Sequence, residues 1–251
     1  MKLGAQFFSI RNKTTTTEDL RLSFAKMKEI GYEIAQMSAI CKIEPELLKS
    51  YSDEYQLPIT CTHSPFDRII NDTDALIKEH IIYGCPVIGL GSMPNQYRGS
   101  LDGAKEFLKL MENPIKKIQN SGLRFAYHNH AFEFENSENT SIFDFMIEQS
   151  PDMNFILDTY WIKYGGRDYL EYIKLLGSAD RLTNVHFKDM ASEPKGAICP
   201  CGNGVIDFRP VITLCDSLGI PNALVEQDNA PQSGDSWGQM QISFNNLKEL
   251  F

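Results

Sequence analysis

The chain contains 251 residues, of which 42% are hydrophobic, so it has enough apolar sequence for one large domain with a sizeable core. The formal net charge is -9, and the 24 Lys and Arg residues are spread along the chain without a basic run, which argues against a nucleic acid partner. No window approaches the roughly 20 apolar residues of a membrane span, and the opening MKLGAQFF has no secretory signal pattern, so we expect a cytoplasmic protein that does not bind a membrane.

Apolar runs of strand length recur eight times along the chain, with amphipathic helical patterns between them. The runs cover residues 2–8, 33–39, 58–64, 86–92, 123–129, 154–160, 182–188 and 222–228. One strand with its helix takes roughly 30 residues, and eight such units take about 250. The pattern therefore predicts an α/β fold of the TIM (β/α)8 barrel type. Residues 1–251 are expected to form one domain, because no linker or composition break divides them.

A doubly wound parallel sheet is the alternative α/β fold. It would usually show a glycine-rich fingerprint after the first strand. The corresponding segment, GAQFFSIRN, contains a single glycine. The barrel is therefore the favoured prediction.

Four consecutive runs in the second half of the chain carry an ionisable side chain near the C-terminal end. These residues are His128, Asp158, His186 and Glu226, separated by 30, 28 and 40 residues. Alternate residues of a barrel strand face the interior, and active sites of this fold lie at the C-terminal ends of the strands. We therefore expect two imidazoles and two carboxylates to converge in the mouth of the barrel.

Buried carboxylates placed together require a compensating cation, because burial and mutual repulsion raise their pKa values. A divalent metal ion is the simplest one, and mixed nitrogen and oxygen ligation suits Mn²⁺, Zn²⁺, Co²⁺ or Fe²⁺. A single strand-end His is often only a hydrogen-bonded core residue, and a single Asp is often a helix N-cap. Four such residues in phase on four successive strands favour a metal site.

Two further histidines have both a functional and a structural interpretation. His130 is predicted to share the inward face of the fifth strand with His128, and His63 ends the third run. Each of them either hydrogen-bonds the substrate or anchors a loop, and both interpretations stay open.

Three other polar or aromatic residues are candidates for the same site. Lys188 lies two residues beyond His186 and is a candidate to deliver a proton, with a salt bridge to Asp189 or Asp228 as the alternative. Trp161 is placed to stack on a sugar ring or to pack at the barrel rim. Gln6 is a candidate substrate ligand or a polar filler of the barrel floor. The glycine-containing loop 190–206 is a candidate lid.

Several segments together resemble a known family: GAQFFSIR, YHNHAFEFE, LDTYWIKYGG, VHFKDM, GNGVIDF and VEQDNA. They are similar to the sugar phosphate isomerase/epimerase group of xylose isomerase-like TIM barrels, the relatives of inosose dehydratase and the tagatose/psicose 3-epimerases. The resemblance runs from the first strand to the last. It implies one divalent ion, often manganese or cobalt, held by Glu, Asp, His and Glu, and Asp158, His186 and Glu226 match the last three positions. At the first position the family's glutamate is replaced by His128.

This replacement affects the expected reaction, because the epimerases use both glutamates as an acid/base pair. Only Glu226 of that pair is present, so we expect a metal-dependent isomerase or epimerase-type enzyme that acts on a keto sugar or polyol through an enediolate. Glu226 is the first candidate base, Glu133 and Glu135 are alternatives, and His130 and Lys188 are candidate proton carriers. The remaining alternatives are an inosose-type dehydratase, a keto-glycoside lyase and a non-catalytic sugar-binding barrel. The chain could also form a homo-oligomer, which the sequence leaves open. An endonuclease IV activity is disfavoured, because it needs more metal ligands and a less acidic surface.

Overall fold

The computed structural model describes residues 1–137 and 140–251, and its centre is a closed barrel of eight parallel strands. Strands β1 to β8 are Lys2–Gln6, Ile34–Met37, Ile59–His63, Val87–Leu90, Arg124–His128, Asn154–Asp158, Leu182–Phe187 and Asn222–Val225. Each strand pairs with its neighbours along the chain, and β8 closes on β1 with Leu224 opposite Gly4. The predicted TIM barrel is confirmed.

Within the described ranges, ten α-helices accompany the strands. Helices α1 to α10 are Thr17–Ile30, Pro45–Glu54, Phe66–Asn71, Thr73–Tyr83, Leu101–Asn120, Ile142–Gln149, Thr159–Tyr164, Tyr169–Ser178, Phe208–Ser217 and Ser236–Leu247. Short antiparallel pairs lie in two loops, Asn136–Ser137 with Thr140–Ser141 after β5 and Asp189–Met190 with Ile198–Cys199 after β7. None of the helices in this part of the chain has the length and apolar character needed to cross a bilayer.

Several strands end earlier than their apolar runs predict, because capping interactions start the next helical segment. The Gln6 side chain accepts a hydrogen bond from the Phe8 amide at 3.0 Å, and residues 7–13 form a 3-10 helix. Asp158 similarly caps α7 by accepting the Trp161 amide at 3.1 Å. Strand β5 ends at His128, so His130 lies in the loop beyond it and not on the strand face. That part of the sequence prediction is wrong.

A small apolar cluster fills the interior of the barrel. It consists of Cys61, Val87, Ala126 and Ile156, all buried. On three of these strands the residue two positions farther along is ionisable. These residues are His63 after Cys61, His128 after Ala126 and Asp158 after Ile156. Because strand side chains alternate between the two faces, these three residues point into the barrel one layer above its apolar floor.

The strand register shows how the four ionisable residues are staggered along neighbouring strands. His128 pairs with Ile156, so Asp158 lies two residues farther along β6, whereas Asp158 pairs directly with His186. His186 in turn pairs with Leu224, so Glu226 is two residues farther along. Barrel strands are tilted against the barrel axis, and a stagger of this kind keeps side chains at one height.

Candidate metal centre and its cavity

The side chains of the four ionisable residues meet in one buried cluster. His128, Asp158, His186 and Glu226 each offer one ligand atom, and these atoms all lie within 4.8 Å of one another. Their relative exposures are 2%, 0%, 0% and 3%. A buried cluster of this composition could hold a metal ion, because imidazole nitrogens and carboxylate oxygens are the usual ligands of Zn²⁺ and similar ions.

Hydrogen bonds on the outer side of both imidazoles set their tautomers. His128 donates from Nδ1 to the Gly91 carbonyl oxygen at 3.0 Å, and His186 donates from Nε2 to Gln36 Oε1 at 2.8 Å. In the neutral rings this leaves the lone pairs on His128 Nε2 and His186 Nδ1, which both face the carboxylates. Metal-binding histidines are commonly oriented in this way by a second hydrogen bond.

Each inner nitrogen lies within 3.4 Å of a carboxylate oxygen. His186 Nδ1 is 2.8 Å from Glu226 Oε2, and His128 Nε2 is 3.4 Å from Asp158 Oδ2. Donor atoms that share an ion at about 2.1 Å lie roughly 3.0 to 3.4 Å apart. Burial, followed by the neighbouring His186, keeps the pKa of His128 well below its usual range, so this ring is neutral. The donor set therefore fits a divalent ion.

Lys188 is the buried ammonium beside this cluster. Its Nζ is 2.9 Å from Asp158 Oδ2, 3.0 Å from Glu226 Oε2 and 3.0 Å from Asp228 Oδ1. Burial raises the pKa of Asp158. When all three carboxylates are ionised, the ammonium balances one of them and the group carries a net charge of -2. One divalent cation would cancel that charge, which is a second reason why the site suits such an ion.

Burial and charge act in opposite directions on the ionisable groups around Lys188. Burial disfavours the ammonium, but Asp158, Glu226 and Asp228 together raise the pKa of Lys188 above its ordinary value. Burial likewise disfavours the Glu226 anion, but Lys188 and His186 hold the pKa of that carboxyl well below its usual range. For Asp228 burial prevails and raises the pKa to about 6. Glu226 is therefore ionised and Lys188 charged at neutral pH.

Asp189 does not pair with Lys188 but organises the loop that follows β7. Its carboxylate accepts backbone N–H bonds from Met190, Gly202, Gly204 and Ile206 at 2.8 to 3.0 Å. Of the two salt bridges considered for Lys188, the structure contains the one to Asp228 and not the one to Asp189. The candidate lid 190–206 is thus tied to the end of β7.

A cavity of about 400 Å³ opens above the cluster at the C-terminal end of the barrel. Its lining includes His63, His128, His130, Lys188, Glu226 and Asp228. Its described lining residues include none from the candidate lid. Cavities in this position and of this size are the usual substrate sites of TIM barrels.

His63 is held in this cavity by the side chain of Gln6. Gln6 uses Oε1 to accept the Phe8 amide, so its Nε2 donates to His63 Nδ1 at 3.3 Å. Burial, followed by His128 and His186, keeps the pKa of His63 well below its usual range. The neutral ring therefore carries its proton on Nε2, which is buried and has no partner in the described residues. Gln6 itself lies behind His63 and does not line the cavity.

His130 and Trp161 lie together beside the cluster. The His130 ring is 4.9 Å from that of His128 and 5.2 Å from that of Trp161, and His130 Nδ1 has no partner among the described residues. Lys188 Nζ is 5.2 Å from the centre of the Trp161 ring. Trp161 therefore contacts two other candidate residues and is absent from the cavity lining.

The two alternative bases lie away from the cluster. Glu133 is buried, accepts the Tyr127 hydroxyl at 2.6 Å and the His130 amide at 2.8 Å, and thus lies on the helix-facing side of β5. Glu135 is exposed. Glu133 therefore anchors the loop that carries His130, and neither carboxylate is placed to act as the base.

Two contributors to the site do not stand out in the sequence. Gln36, which orients His186, is a buried polar residue within the apolar run EIAQMSA, and this was the available signal. Gly91, which orients His128, acts through its backbone carbonyl, so residue type gave no indication of it.

Solved structures with similar folds include several sugar-modifying enzymes. A sugar phosphate isomerase/epimerase from Parabacteroides distasonis ATCC 8503 superposes with a TM-score of 0.80 at 20% identity, over 98% of this chain and 93% of that one. A D-allulose 3-epimerase from Methylomonas sp. gives a TM-score of 0.69 at 15% identity, over 100% and 98%. The IOLI protein with a bound zinc atom gives 0.74 at 12% identity, also over 100% and 98%. At these identities the likeness establishes the fold.

Sequence comparison assigns the family. No curated protein matches the sequence. The sequence profile described as xylose isomerase-like TIM barrel matches residues 24–240, most of the chain, in agreement with the closed barrel and the residues at its mouth. The chain therefore belongs to the xylose isomerase-like TIM barrel family.

Proposed function

We propose that this protein is a divalent-metal-dependent enzyme of the isomerase or epimerase type, acting on a keto sugar or related polyol through an enediolate. His128, Asp158, His186 and Glu226 would hold the ion. Residues 1–251 would act as one domain. The likeness to sugar epimerases supports the substrate class as an expectation.

One observation carries this proposal. The inner nitrogens of two tautomer-fixed imidazoles face two buried carboxylates, and together with Asp228 the carboxylates of this group outnumber its single ammonium by three to one. A purely structural cluster would instead carry as many cations as carboxylates, because uncompensated buried charge is strongly destabilising. The same cluster opens onto a cavity large enough for a sugar, which supports a catalytic role over a structural one.

When bound, a divalent ion supplies Lewis-acid polarisation of a substrate carbonyl and compensates negative charge on its oxygen. Manganese, cobalt and zinc all suit the donor set.

The protein's own residues divide the proton transfer between them. Glu226 is ionised, lines the cavity and is the proposed base that removes the proton from the carbon beside the carbonyl. His130 is kept neutral by burial, then by His128 and Lys188, which lower its pKa, and it would accept or return a proton at Nδ1. Lys188 retains its proton and would hold the carboxylates in place and donate a hydrogen bond to a substrate oxygen.

Metal content and isotope exchange together test the proposal. The protein would be stripped with a chelator, reloaded with Mn²⁺, Co²⁺ or Zn²⁺, and incubated in D₂O with keto-hexoses, inososes and 3-keto glycosides. We expect about one bound ion per chain and deuterium entering a C–H bond of one substrate, followed by NMR.

Paired variants sharpen this test. The metal should be lost in His186→Ala and retained in His80→Ala, because His80 is buried on α4 and hydrogen-bonds Thr62 outside the cluster. The Glu226→Gln variant should lose the exchange. Stoichiometric metal with no exchange on any of these compounds would contradict the proposed reaction, and absence of metal binding would contradict the site.

A further inference from the structure

A second cavity, of about 450 Å³, reaches the helix-facing side of the barrel wall between the loops after β2 and β3. Thr62 of β3 lines it, and the Thr62 hydroxyl is 2.9 Å from His80 Nε2 on α4. Cys61 and His63, the neighbours of Thr62 in the strand, face the barrel interior, so alternation turns Thr62 towards the helices. The four ionisable residues of the metal centre lie on the opposite, inward face.

The wall of this cavity is mainly apolar. Its apolar lining includes Met37, Ile40, Ile43, Leu48, Leu76 and Tyr83, which come from β2, the loop after it, α2 and α4. Protein interiors are close-packed and contain few voids larger than a water molecule. Apolar cavities of about 300 to 1,000 Å³ are typical of small-molecule sites. The cavity therefore has the size and lining of a site for an apolar group.

Three hydroxyl groups of the lining are already hydrogen-bonded within the protein. Thr62 Oγ1 is 2.9 Å from Ser64 Oγ and 2.9 Å from His80 Nε2, and the Tyr83 hydroxyl is 2.9 Å from His80 Nδ1. Hydroxyls engaged in this way give a sugar few partners to replace its water. The lining therefore does not favour a second hydroxyl-rich ligand.

Lys42 is the charged residue of the lining that is left for a ligand. Arg68 donates to both carboxylate oxygens of Glu79, at 2.8 and 3.0 Å, and to Asp72 at 2.9 Å, so these three groups are engaged with one another. Lys42 is exposed and makes no hydrogen bond or ion pair with any residue that the structure describes. Its free ammonium suits an anion.

The backbone around Lys42 adds further unused donors. Of residues 39–43, which all line the cavity, only Cys41 donates its backbone N–H to a described residue, the Thr14 carbonyl oxygen at 2.8 Å. Ala39 has a φ of 53°, in the left-handed region. Successive backbone N–H groups in a turn that contains a left-handed residue commonly bind anions. Unused backbone donors and an unused ammonium thus occur together beside an apolar wall.

We infer that this cavity is a second ligand site, which binds a monocarboxylic acid with an apolar chain. The chain lies against Met37, Leu48 and Leu76, and the carboxylate lies at Lys42 and the free backbone N–H groups of residues 39–43. The site is independent of the metal centre and of the reaction proposed for it.

Calorimetry with four small probes tests this site. The probes are octanoate, butanoate, octan-1-ol and octylamine, each titrated into metal-free and metal-loaded protein. We expect about one octanoate per chain, with the same affinity in both metal states. Octan-1-ol should bind at least about fivefold more weakly, because it lacks the charge that pairs with Lys42. Butanoate should bind at least about tenfold more weakly, because it buries four fewer methylene groups. Octylamine should bind more weakly than octan-1-ol.

Variants of two lining residues locate the binding. Lys42→Met should remove the preference for octanoate over octan-1-ol, and Lys49→Met, on α2 outside the lining, is its control and should keep that preference. Ile43→Trp narrows the cavity and should weaken both probes. Leu47→Trp places the same side chain on the exposed surface of α2, outside the lining, and should change neither affinity.

The outcomes separate this site from the proposed function. Absence of octanoate binding, equal affinities for octanoate and octylamine, or wild-type behaviour of Lys42→Met would overturn the second site while the exchange reaction stands. Octanoate binding that appears only after metal loading would also overturn it, because the carboxylate would then be bound at the metal centre. Loss of the exchange reaction has no bearing on octanoate binding to metal-free protein.

Discussion

The carbonyl oxygen of Gly91 accepts a hydrogen bond from His128 Nδ1 at 3.0 Å, and this bond turns the lone pair of Nε2 towards the carboxylates. The same glycine leaves space for a second imidazole. A Cβ at position 91 would lie 2.9 Å from His63 Nδ1 and 3.1 Å from its Cγ. One backbone position in the loop after β4 therefore orients one histidine and makes room for another.

Substitution Gly91→Ala should displace the His63 ring while leaving the His128 hydrogen bond to the backbone in place. We expect the dissociation constant of the keto sugar to rise about tenfold, because loss of one hydrogen bond costs about 1.4 kcal/mol. The metal content should stay unchanged. Calorimetry and metal analysis of the variant would measure both quantities. Ser217→Ala, at an exposed position of α9 outside the cavity lining, is the control and should alter neither. Loss of the metal in Gly91→Ala would mean that His128 had moved as well.

Substitution Lys188→Met should destabilise the metal-free protein far more than the metal-loaded protein. Without the ammonium, the buried carboxylates of Asp158 and Glu226 and the partly buried carboxylate of Asp228 lose their cation, and breaking buried pairs of this kind costs about 3 to 5 kcal/mol. A divalent ion compensates part of that charge. Urea unfolding of wild type and variant, with and without metal, gives the loss in free energy of unfolding for each state. Lys195→Met, at an exposed loop position, serves as the control. Equal losses in both states would contradict a site that accepts a divalent ion.

Substitution Glu133→Gln should flatten the dependence of stability on pH. Burial raises the pKa of Glu133 from its ordinary value of 4.5 to about 7. Between these two pH values the folded protein keeps the proton and the unfolded chain releases it, so the free energy of unfolding falls as the pH rises. The contribution lost by pH 8 is about 3 kcal/mol.

Urea unfolding of both proteins between pH 4.5 and 8 measures this effect. The wild-type curve should fall more steeply than that of Glu133→Gln, and the two should become parallel above about pH 8. Parallel curves over the whole range would show that Glu133 titrates normally.

Substitution Asp189→Asn should release loop 190–206. A neutral amide cannot accept all four backbone N–H bonds that the carboxylate accepts, and each buried donor left unpaired costs about 1 to 3 kcal/mol. Limited proteolysis should then cut this loop faster than in the wild type. Asp168→Asn is the control, because Asn is nearly as good an N-cap as Asp for α8. An unchanged cleavage rate would mean that other contacts hold the loop.

The barrel and the convergence of four ionisable side chains were predictable from the order of residues alone. Both follow from local periodicity. A repeat of about 30 residues indicates strand-helix units. The alternation of side chains along each strand determines which residues face inward. The alternation failed at His130, because β5 ends at His128 and the chain beyond a strand no longer follows a period of two. Asp158 proved to have both roles considered for it, capping α7 with Oδ1 while Oδ2 faces the cluster.

Only the tertiary structure decided what surrounds those four side chains. His186 donates to Gln36, which is 150 residues away in the chain, and His128 donates to a backbone carbonyl that no residue type reveals. A cavity of about 450 Å³, separate from the one above the metal centre, likewise arises where the loops after β2 and β3 meet. Periodicity indicates which face of its own strand a side chain occupies. Histidine tautomers, the charge balance of the site and the cavities depend on contacts between distant segments, and these contacts exist only after the barrel has closed.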